Sequence, residues 1–278
     1  RLYRFGETSG TIAYDLGSNA ANGTHVNPSL NATGIITNDT DKAITLDGTV
    51  RYVLLPTLEF ENRSFSVQFW FRPAASPSVS GDIFSVHNAF TANKAFFMRY
   101  NDGSNGLMSA YFYGGVQVDS AVLVAGTDYL FTAIYDYAAR TLTLKVNGVT
   151  VDTATSAGPY SGTLPVIEFG SYTAAGANYP KGVADELTIW LRAVSDDEVS
   201  AFYAAKAAPS PGFTVFSTLR GAIGNSYQSA VSSAAITVPS ATLTGGVDTP
   251  NATTSIQTGL RTFAYAGDDW EGEKISAY

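Results

Sequence analysis

Residues 181–205 read Lys-Gly-Val-Ala-Asp-Glu-Leu-Thr-Ile-Trp-Leu-Arg-Ala-Val-Ser-Asp-Asp-Glu-Val-Ser-Ala-Phe-Tyr-Ala-Ala, a strand-like segment followed by a helix start. Ser195 and Glu198 have the spacing of a capping box, in which each side chain accepts from the backbone amide of the other. Asp196 and Asp197 place negative charge in the first turn, where it complements the helix dipole. The stretch therefore predicts a strand and then a helix over 196–206, and we expect this helix to end a domain.

The strand part of this stretch carries two adjacent carboxylates. The two-residue period of a strand places Val183, Leu187 and Ile189 on one inward face. Asp185 falls on that same face, whereas Glu186 alternates to the other, where we expect exposure to solvent. A buried carboxylate needs a partner, so Asp185 is a candidate structural or ligand-binding residue.

The segment 64–72 is predicted to be a strand covered on both faces. Four of its apolar side chains share one face by the two-residue period: Phe65, Val67, Phe69 and Phe71. Trp70 points the opposite way, which indicates a second covered face, as in a sandwich of two sheets. Pro73 ends the strand because proline cannot donate to a ladder.

A hairpin is predicted at Asn147-Gly148, between the alternating runs Thr141–Val146 and Val149–Ala154. Asn-Gly suits a type I′ turn because both of its central positions need positive φ. Further strands are predicted at 82–87, 95–100, 107–113, 129–135 and 164–169. The pattern favours an all-β chain.

The composition agrees with this class and excludes others. The 278 residues include 16 Tyr and 16 Phe but only 14% charged residues, and aromatic residues suit pleated, half-buried surfaces. The net charge of −8 argues against nucleic acid as a partner, because phosphate binding needs clustered Lys and Arg. No apolar stretch approaches the roughly 20 residues that a membrane-spanning helix needs. The absence of Cys rules out disulfides, and it is compatible with both oxidising and reducing cellular compartments.

The chain divides after the predicted helix. Residues 207–212, Ala-Ala-Pro-Ser-Pro-Gly, have the composition of a linker. Residues 213–278 are β-rich but poor in large apolar side chains, so we expect them to pack on a domain, a sister chain or a larger assembly. The first residue is Arg1, with no initiator Met or signal sequence, and we expect a processed chain or a part of a longer one.

Several sequence blocks resemble, in order, the laminin-G-like family of concanavalin A-like jelly rolls. The blocks are Leu2–Gly10 with Asp15–Asn19 and Asn22–Thr24, Ala43–Gly48 with Tyr52–Pro56, Phe65–Pro73, Leu142–Val151 and Gly182–Tyr203. They span residues 1–206. The resemblance implies an all-β fold, a two-sheet antiparallel jelly-roll sandwich with one short C-terminal helix, followed by the small β-rich segment. The family often has Trp-x-His in the strand before the hairpin, but Thr127–Phe131 contains neither residue. This departure leaves the fold intact and makes the assignment to a subfamily less specific.

The resemblance also implies a structural Ca²⁺, since many family members hold one. Calcium takes six to eight oxygens from carboxylates, amides and carbonyls. The opening loop offers Asp15, Asn19 and Asn22, and Asp185 on the last strand is the fourth candidate ligand. The alternative is that Asp185 caps backbone amides of the first loop without a metal.

Aromatic residues in predicted loops are candidates for contact with a glycan or a protein partner: Phe90, Tyr160, Tyr172 and Tyr179. Such rings combine an apolar body with a polar handle and favour interfaces. The alternative is that these rings pack onto the sandwich.

Catalysis finds little support in the sequence. His25 and His87 are the only histidines, and neither stands at motif spacing from a nucleophile. Glycosidases place paired carboxylates on one face, but the nearest pattern, Asp269-x-Glu271-x-Glu273, lies in the tail. We therefore expect that this protein is not an enzyme.

Two functions of different kinds follow. The first is a non-catalytic recognition or adhesion module that binds glycan or protein through loops at one end of the sandwich, in an extracellular, cell-surface or virion protein. The alternative is a structural assembly component, such as a phage or virus decoration, fibre or tail protein, that forms a homo-oligomer or a larger assembly through 213–278. A glycoside hydrolase is the third and weakest hypothesis.

Overall fold

The structure is a computed structural model in which two compact units are distinguished, Arg1–Lys206 and Ala207–Tyr278. The residues it describes are 1–17, 20–37, 40–74, 80–88, 91–100, 106–155, 160–163, 165–172, 179–206, 263–264 and 276–277. Among them, no helix combines the length and the apolar character needed to cross a membrane.

The first unit contains two antiparallel eight-stranded sheets. Sheet A has the order β14-β13-β12-β7-β16-β5-β4, with β1 also paired to β16, and sheet B has the order β11-β10-β9-β8-β15-β6-β3-β2. The strands are β1 Leu2–Tyr3, β2 Ile12–Ala13, β3 Gly23–Val26, β4 Ala32–Thr33, β5 Lys42–Asp47, β6 Tyr52–Leu55, β7 Phe65–Pro73, β8 Gly81–His87, β9 Ala95–Tyr100, β10 Met108–Phe112, β11 Gln117–Asp119, β12 Tyr129–Asp136, β13 Thr141–Val146, β14 Val149–Thr155, β15 Val166–Phe169 and β16 Lys181–Trp190.

The core lies between the two sheets and is rich in aromatic rings. The four inward residues predicted on β7 all belong to it. Phe65 packs edge-on against Phe96 of sheet B at 5.2 Å, and Phe69 packs edge-on against Phe169 at 5.5 Å. Edge-on pairs at these separations are favourable because of the ring quadrupole. The predicted two-sheet sandwich is confirmed.

A short helix, α1 Asp196–Ala205, covers part of the outer face of sheet A. The capping box is present as predicted: the Glu198 amide donates to Ser195 Oγ at 3.3 Å, and the Ser195 amide donates to Glu198 Oε2 at 2.8 Å. Trp70 stacks on Tyr203 of α1 with centroids 6.0 Å apart, and Lys206 Nζ lies 5.2 Å from the Trp70 ring. Both faces of β7 are therefore covered, as its sequence pattern predicts.

The Asn147-Gly148 turn also forms as predicted. Both residues have positive φ, 53° and 84°, and Val146 pairs with Val149 across the turn. A type I′ hairpin requires this conformation.

Strand β16 departs from the predicted alternation at a β-bulge. Its register against β7 shifts between Asp185 and Thr188, and Glu186 has a φ of +54°. Asp185 pairs with Trp70 and lies on the outer face of sheet A, whereas Leu187, beyond the extra residue, belongs to the core. The prediction of one shared face was wrong because a bulge reverses the phase of the strand.

The bulge also buries Glu186, which the sequence pattern predicted to be exposed. Its side chain is buried, and its Oε1 accepts from Arg4 Nε at 2.5 Å. The ladder changes at the same place, because β5 pairs with 181–184 and β1 pairs with 187–188.

In the second unit the structure describes two short strands, β17 Phe263–Ala264 and β18 Ser276–Ala277, paired antiparallel. The predicted linker 207–212, most of 213–278, and the acidic pattern at Asp269, Glu271 and Glu273 lie outside the described residues. The proposed packing or assembly role of 213–278 stays a prediction.

Candidate functional site

The outer face of sheet B carries a mixed aromatic and charged cluster on strands β8, β9, β10 and β15 and the segment after β15. We call it the outer-face cluster, and its members are Asp82, Ser85, His87, Phe97, Arg99, Tyr111, Glu168 and Tyr172. The two-residue period places these strand residues opposite the core-facing Val86, Phe96, Met98 and Ala110.

The strand register aligns this face across the sheet. Tyr111 pairs with Phe97, Phe97 pairs with Ser85, and Ser85 pairs with Glu168. Glu168 in turn lies opposite Leu54 of β6. Directly opposed residues have Cβ atoms about 5 Å apart, so the row is continuous over five strands.

An ion pair fixes the polar part of the cluster. Arg99 donates from Nε to Asp82 Oδ1 at 2.9 Å and from Nη2 to Asp82 Oδ2 at 3.1 Å. The guanidinium carbon also lies 5.4 Å from the centre of the Tyr111 ring, which stacks on Phe97 at 5.1 Å. Two-point contact with a carboxylate and contact with an aromatic face together hold the guanidinium in one orientation.

Tyr172 packs over the other side of the cluster. Its ring makes edge contacts with Phe97 at 5.2 Å and with His87 at 5.0 Å. Its segment is anchored by Ser85 Oγ, which donates to the Ser171 carbonyl at 3.0 Å. Burial, together with the nearby Asp82, raises the pKa of the Tyr172 hydroxyl.

Tyr52 lies near Glu168 and near Tyr179. Burial raises the pKa of Tyr52, and the charge of Glu168 and the neighbouring Tyr179 act in the same direction. His87 Nε2 stands 3.7 Å from Glu168 Oε2. Of the predicted contact residues, Tyr172 packs on the outer face of sheet B, and Tyr179 lies near Tyr52.

The accessible part of this face lies beside Tyr111. Tyr113, just beyond β10, has 42% of its surface exposed, and Gln117 of β11 is also exposed. Asp119 is half-buried, and its Oδ1 accepts from Gln117 Nε2 at 2.9 Å. Aromatic surface with amide and carboxylate groups beside it can stack on an apolar ring face and accept hydrogen bonds from hydroxyls.

Two of the predicted aromatic contact residues do not reach this face. Tyr160 is fully buried in the core, with Phe60 and Phe65 against its ring, so the prediction of a ligand contact there was wrong. Its flanking Gly and Pro residues suggested a loop, but the bulky ring fills space between the sheets instead. Phe90 lies outside the described residues.

The predicted metal ligands of the opening loop bind backbone amides instead. Asp15 Oδ1 accepts from the amides of Leu2 at 2.9 Å and Gly17 at 2.8 Å, and its Oδ2 accepts from Ala21 at 3.1 Å. Asn22 Oδ1 accepts from the Asp15 amide at 3.0 Å. Asn19 lies outside the described residues. The loop is thus closed on itself by hydrogen bonds.

Asp185 belongs to a different group of charges. Its Oδ2 accepts from the Ile35 amide at 2.8 Å, so it caps the segment after β4 rather than the first loop. Its Oδ1 is buried and has no hydrogen-bond partner among the described residues. Arg4 Nε lies between Glu186 at 2.5 Å and Asp41 Oδ2 at 3.1 Å. Burial first, and then the charge of Glu186, raises the pKa of Asp185 well above its usual value.

These residues do not fit a calcium site. Among the described residues, no three or more His, Asp or Glu side chains are grouped so that they could hold a metal ion. Asp15 and Asp185 have separate hydrogen-bond partners, and the raised pKa of Asp185 favours the neutral acid, a poor ligand for a hard cation.

A second opening lies at the start of the chain. It is an open cleft of about 640 Å³, lined by Arg4, Gly6, Glu7, Thr8, Ser9, Tyr14, Leu16, Thr40 and Asp41. Tyr14 is exposed there. The charged groups of this cleft bind one another or the protein: Glu7 accepts from the Tyr14 amide at 2.8 Å and lies 3.4 Å from His25 Nε2.

The outer-face cluster has only a weak signal in the sequence. Phe97, Arg99 and Tyr111 alternate with apolar neighbours on predicted strands, which indicates a shared outward face. The outward position of Asp82 does not follow from this alternation. The strand register shifts between Asp82 and Phe84, so that two consecutive residues, Ile83 and Phe84, both face the core.

Solved structures with similar folds include a sialidase and the binding domain of a mosquitocidal protein. The Trypanosoma rangeli sialidase in complex with sialic acid matches with a TM-score of 0.58 at 12% identity, over 75% of this chain and 33% of the sialidase chain. The binding domain of Paraclostridial Mosquitocidal Protein 1 matches with a TM-score of 0.51 at 16% identity, over 69% and 51% of the two chains. The chain thus spans a third of the sialidase and half of the binding domain, and at these identities the likeness shows the fold.

No curated protein matches the sequence significantly. The family model described as the concanavalin A-like lectin/glucanases superfamily matches residues 47–200, more than half of the 278 residues. That range holds the hairpin, the outer-face cluster, the bulged strand β16 and the start of α1. The chain belongs to the concanavalin A-like lectin/glucanases superfamily.

Proposed function

We propose that this protein is a non-catalytic recognition module that binds an oligosaccharide on the outer face of sheet B. The observation that carries the proposal is the outer-face cluster, in which stacked aromatic rings lie next to an ordered Asp–Arg pair on adjacent strands. This differs from the sequence-based expectation, which placed the ligand at loops on one end of the sandwich.

The chemistry of the face suits a sugar ring. A pyranose has an apolar C–H face that can lie on an aromatic ring and hydroxyls around its rim that need hydrogen-bond partners. Tyr111 and Tyr113 supply aromatic surface, and Gln117 and Asp119 supply polar groups at the side. A small number of polar groups beside aromatic surface is the usual composition of a ligand site.

Rigidity supports the same proposal. Phe97, Arg99 and Tyr111 lie on paired strands. Asp82 accepts from the Arg99 guanidinium, and the Phe97 ring stacks on the Tyr111 ring, so both outer side chains are held in place. A site that is ordered before binding loses less conformational entropy when the ligand arrives. Sites built on strands are also held more precisely than sites on loops.

The state of the carboxylates favours binding over catalysis. Both oxygens of Asp82 accept from the same guanidinium, so this group is poorly placed to exchange a proton with a substrate. A glycosidase needs one carboxyl as proton donor and a second as base or nucleophile. Glu168 is buried and next to His87, which likewise favours a structural role.

The neighbours in fold agree with a carbohydrate ligand, since the sialidase structure holds sialic acid. We propose the same setting as the sequence indicates, an extracellular, cell-surface or virion protein, with this unit as its recognition part.

The test is a glycan array probed with the full chain, with a polysaccharide turnover panel run in parallel. We expect binding to a restricted set of oligosaccharides and no release of reducing ends from any of them. Turnover of a bound glycan would contradict the non-catalytic proposal, and an array without signal would contradict the recognition proposal itself.

A further inference from the structure

We infer that the ligand of the outer face of sheet B is an uncharged oligosaccharide and that this face discriminates against acidic sugars such as sialic and uronic acids. The inference rests on the proposed function and adds the substrate class. It follows from the balance of charge on the face and from the state of its one guanidinium.

The strands of sheet B carry more carboxylates than cations. Across all eight strands, which the structure describes in full, the acidic residues are Asp82, Asp119 and Glu168, and the one Lys or Arg is Arg99. All four are on the outer face. On these strands three carboxyl groups therefore stand beside one guanidinium, an excess of acidic side chains.

The guanidinium that could attract an anion is already engaged. Arg99 gives Nε and Nη2 to Asp82, which is fully buried beneath it. Its flat side lies toward the ring of Tyr111. An acidic sugar would have to compete with a carboxylate that the fold already holds against the guanidinium, and binding it there would break the ion pair between Arg99 and the buried Asp82.

Within the first 206 residues, the segments outside the described residues are 18–19, 38–39, 75–79, 89–90, 101–105, 156–159, 164 and 173–178, and none contains Lys or Arg. Two of them contain a carboxylate, Asp39 and Asp102. Lys94, exposed in the turn between β8 and β9, is the cation closest in sequence to the strands of the cluster.

An anionic sugar therefore meets repulsion that a neutral sugar of the same shape avoids. Two like charges roughly 6 Å apart at a protein surface repel strongly enough to change a binding constant by about tenfold. Dissolved salt screens such exposed charges, with a Debye length of about 10 Å at 0.1 M. Discrimination that comes from this repulsion must weaken as the salt concentration rises.

The experiment uses the full chain and matched pairs of oligosaccharides. Each pair consists of a neutral glycan and the same glycan with a terminal sialic acid or with one hexose replaced by its uronic acid. We expect the neutral member to bind about tenfold more tightly at low salt, and the ratio to fall several-fold when NaCl rises from about 0.05 M to about 0.5 M.

One substitution and one matched control locate the repulsion. Asp119→Asn removes a carboxylate at the rim of the face, and we expect it to reduce the ratio of neutral to acidic binding by about two- to fivefold. Asp197→Asn removes an exposed carboxylate of α1 on the other sheet, and we expect the ratio to stay as in the wild type.

The outcomes separate the inference from the function on which it rests. Equal or tighter binding of the acidic members, or a ratio that Asp119→Asn and Asp197→Asn change alike, overturns the inference and leaves glycan recognition standing. Absence of binding to both members of every pair overturns the proposed function, and the inference falls with it.

Discussion

Asp82 holds the guanidinium of Arg99 with both of its oxygens, at 2.9 Å from Nε and 3.1 Å from Nη2. The carboxylate is fully buried on a strand next to that of Arg99, and the Tyr111 ring lies against the other side of the arginine. This pair orders the polar part of the outer face before any ligand arrives. It also removes the arginine from competition for acidic ligands.

The first prediction concerns this pair. Arg99→Met leaves the buried carboxylate without its guanidinium, and we expect the free energy of unfolding to fall by about 3 kcal/mol, measured by urea denaturation. Adding Asp82→Asn removes the buried charge, so the double variant should be more stable than Arg99→Met alone. A double variant that is less stable than Arg99→Met would show that the pair does not carry the effect.

The second prediction concerns Tyr160, a core residue whose sequence context suggested a binding loop. Its hydroxyl is buried and, within the part of the chain that the structure describes, has no hydrogen-bond partner. Tyr160→Phe removes an unsatisfied group and keeps the ring, so we expect unchanged or higher stability, by up to about 1 kcal/mol, and unchanged glycan binding. Tyr160→Ala is the contrasting variant, with an expected loss of about 3–5 kcal/mol from the cavity. Weaker glycan binding by a stably folded Tyr160→Phe would contradict the assignment.

The sandwich could be predicted because its signals are local. The alternation of Phe65–Phe71, the Asn147-Gly148 turn and the Ser195–Glu198 box each specify their own geometry, and each is present in the structure. What the sequence does not show is an inserted residue within a strand. The bulge at Glu186 reverses the phase of β16, and the irregularity after Asp82 hides an outward carboxylate.

The candidate site was harder to predict because it depends on pairing between strands that are distant in sequence. Glu168 lies opposite Ser85 and two strands from Phe97, and no spacing in the sequence indicates that register. Loop composition suggested Tyr160, Tyr172 and Tyr179 alike as contact residues. It could not distinguish the other two from Tyr160, whose burial depends on the space between the sheets.

The third prediction is a pH effect at Asp185. Burial, and then the charge of Glu186, raise its pKa in the folded chain well above 3.8, with Asp41 acting in the same direction and Arg4 against it. The folded chain therefore binds the proton more tightly than the unfolded chain. The contribution of Asp185 to the free energy of unfolding is therefore fully present below about pH 3.8, the ordinary pKa of the group, and it is lost as the pH rises through the folded pKa.

Asp185→Asn imitates the neutral acid and retains an oxygen for the Ile35 amide. We expect this variant to gain about 1 kcal/mol or more in free energy of unfolding at pH 7, and the gain to shrink as the pH approaches 4. Asp197→Asn, at an exposed position, is the control and should show little change at either pH. A gain for Asp185→Asn that grows toward acid would contradict the direction of the pKa shift.

The fourth prediction concerns calcium. Because Asp15 and Asn22 close their own loop and Asp185 favours the neutral form, we expect about 1 mM Ca²⁺ to shift the melting temperature by less than about 1 °C. EDTA should leave glycan binding unchanged. A shift of several degrees that Asp15→Asn abolishes would establish a calcium site at the opening loop and overturn our reading of its hydrogen bonds.

The most direct test of glycan recognition on the outer face of sheet B is isothermal titration of an array-selected neutral oligosaccharide into three full-length variants. The account predicts that Tyr113→Ala and Tyr111→Ala each weaken binding about tenfold or more, since truncation of an aromatic residue that anchors a ligand costs about 2 kcal/mol or more, while Tyr14→Ala binds like the wild type. Tyr14 is 50% exposed, against 42% for Tyr113, but it lies in the cleft at the start of the chain. Loss of binding in Tyr14→Ala, with Tyr113→Ala and Tyr111→Ala unaffected, would place the ligand in that cleft and contradict the account.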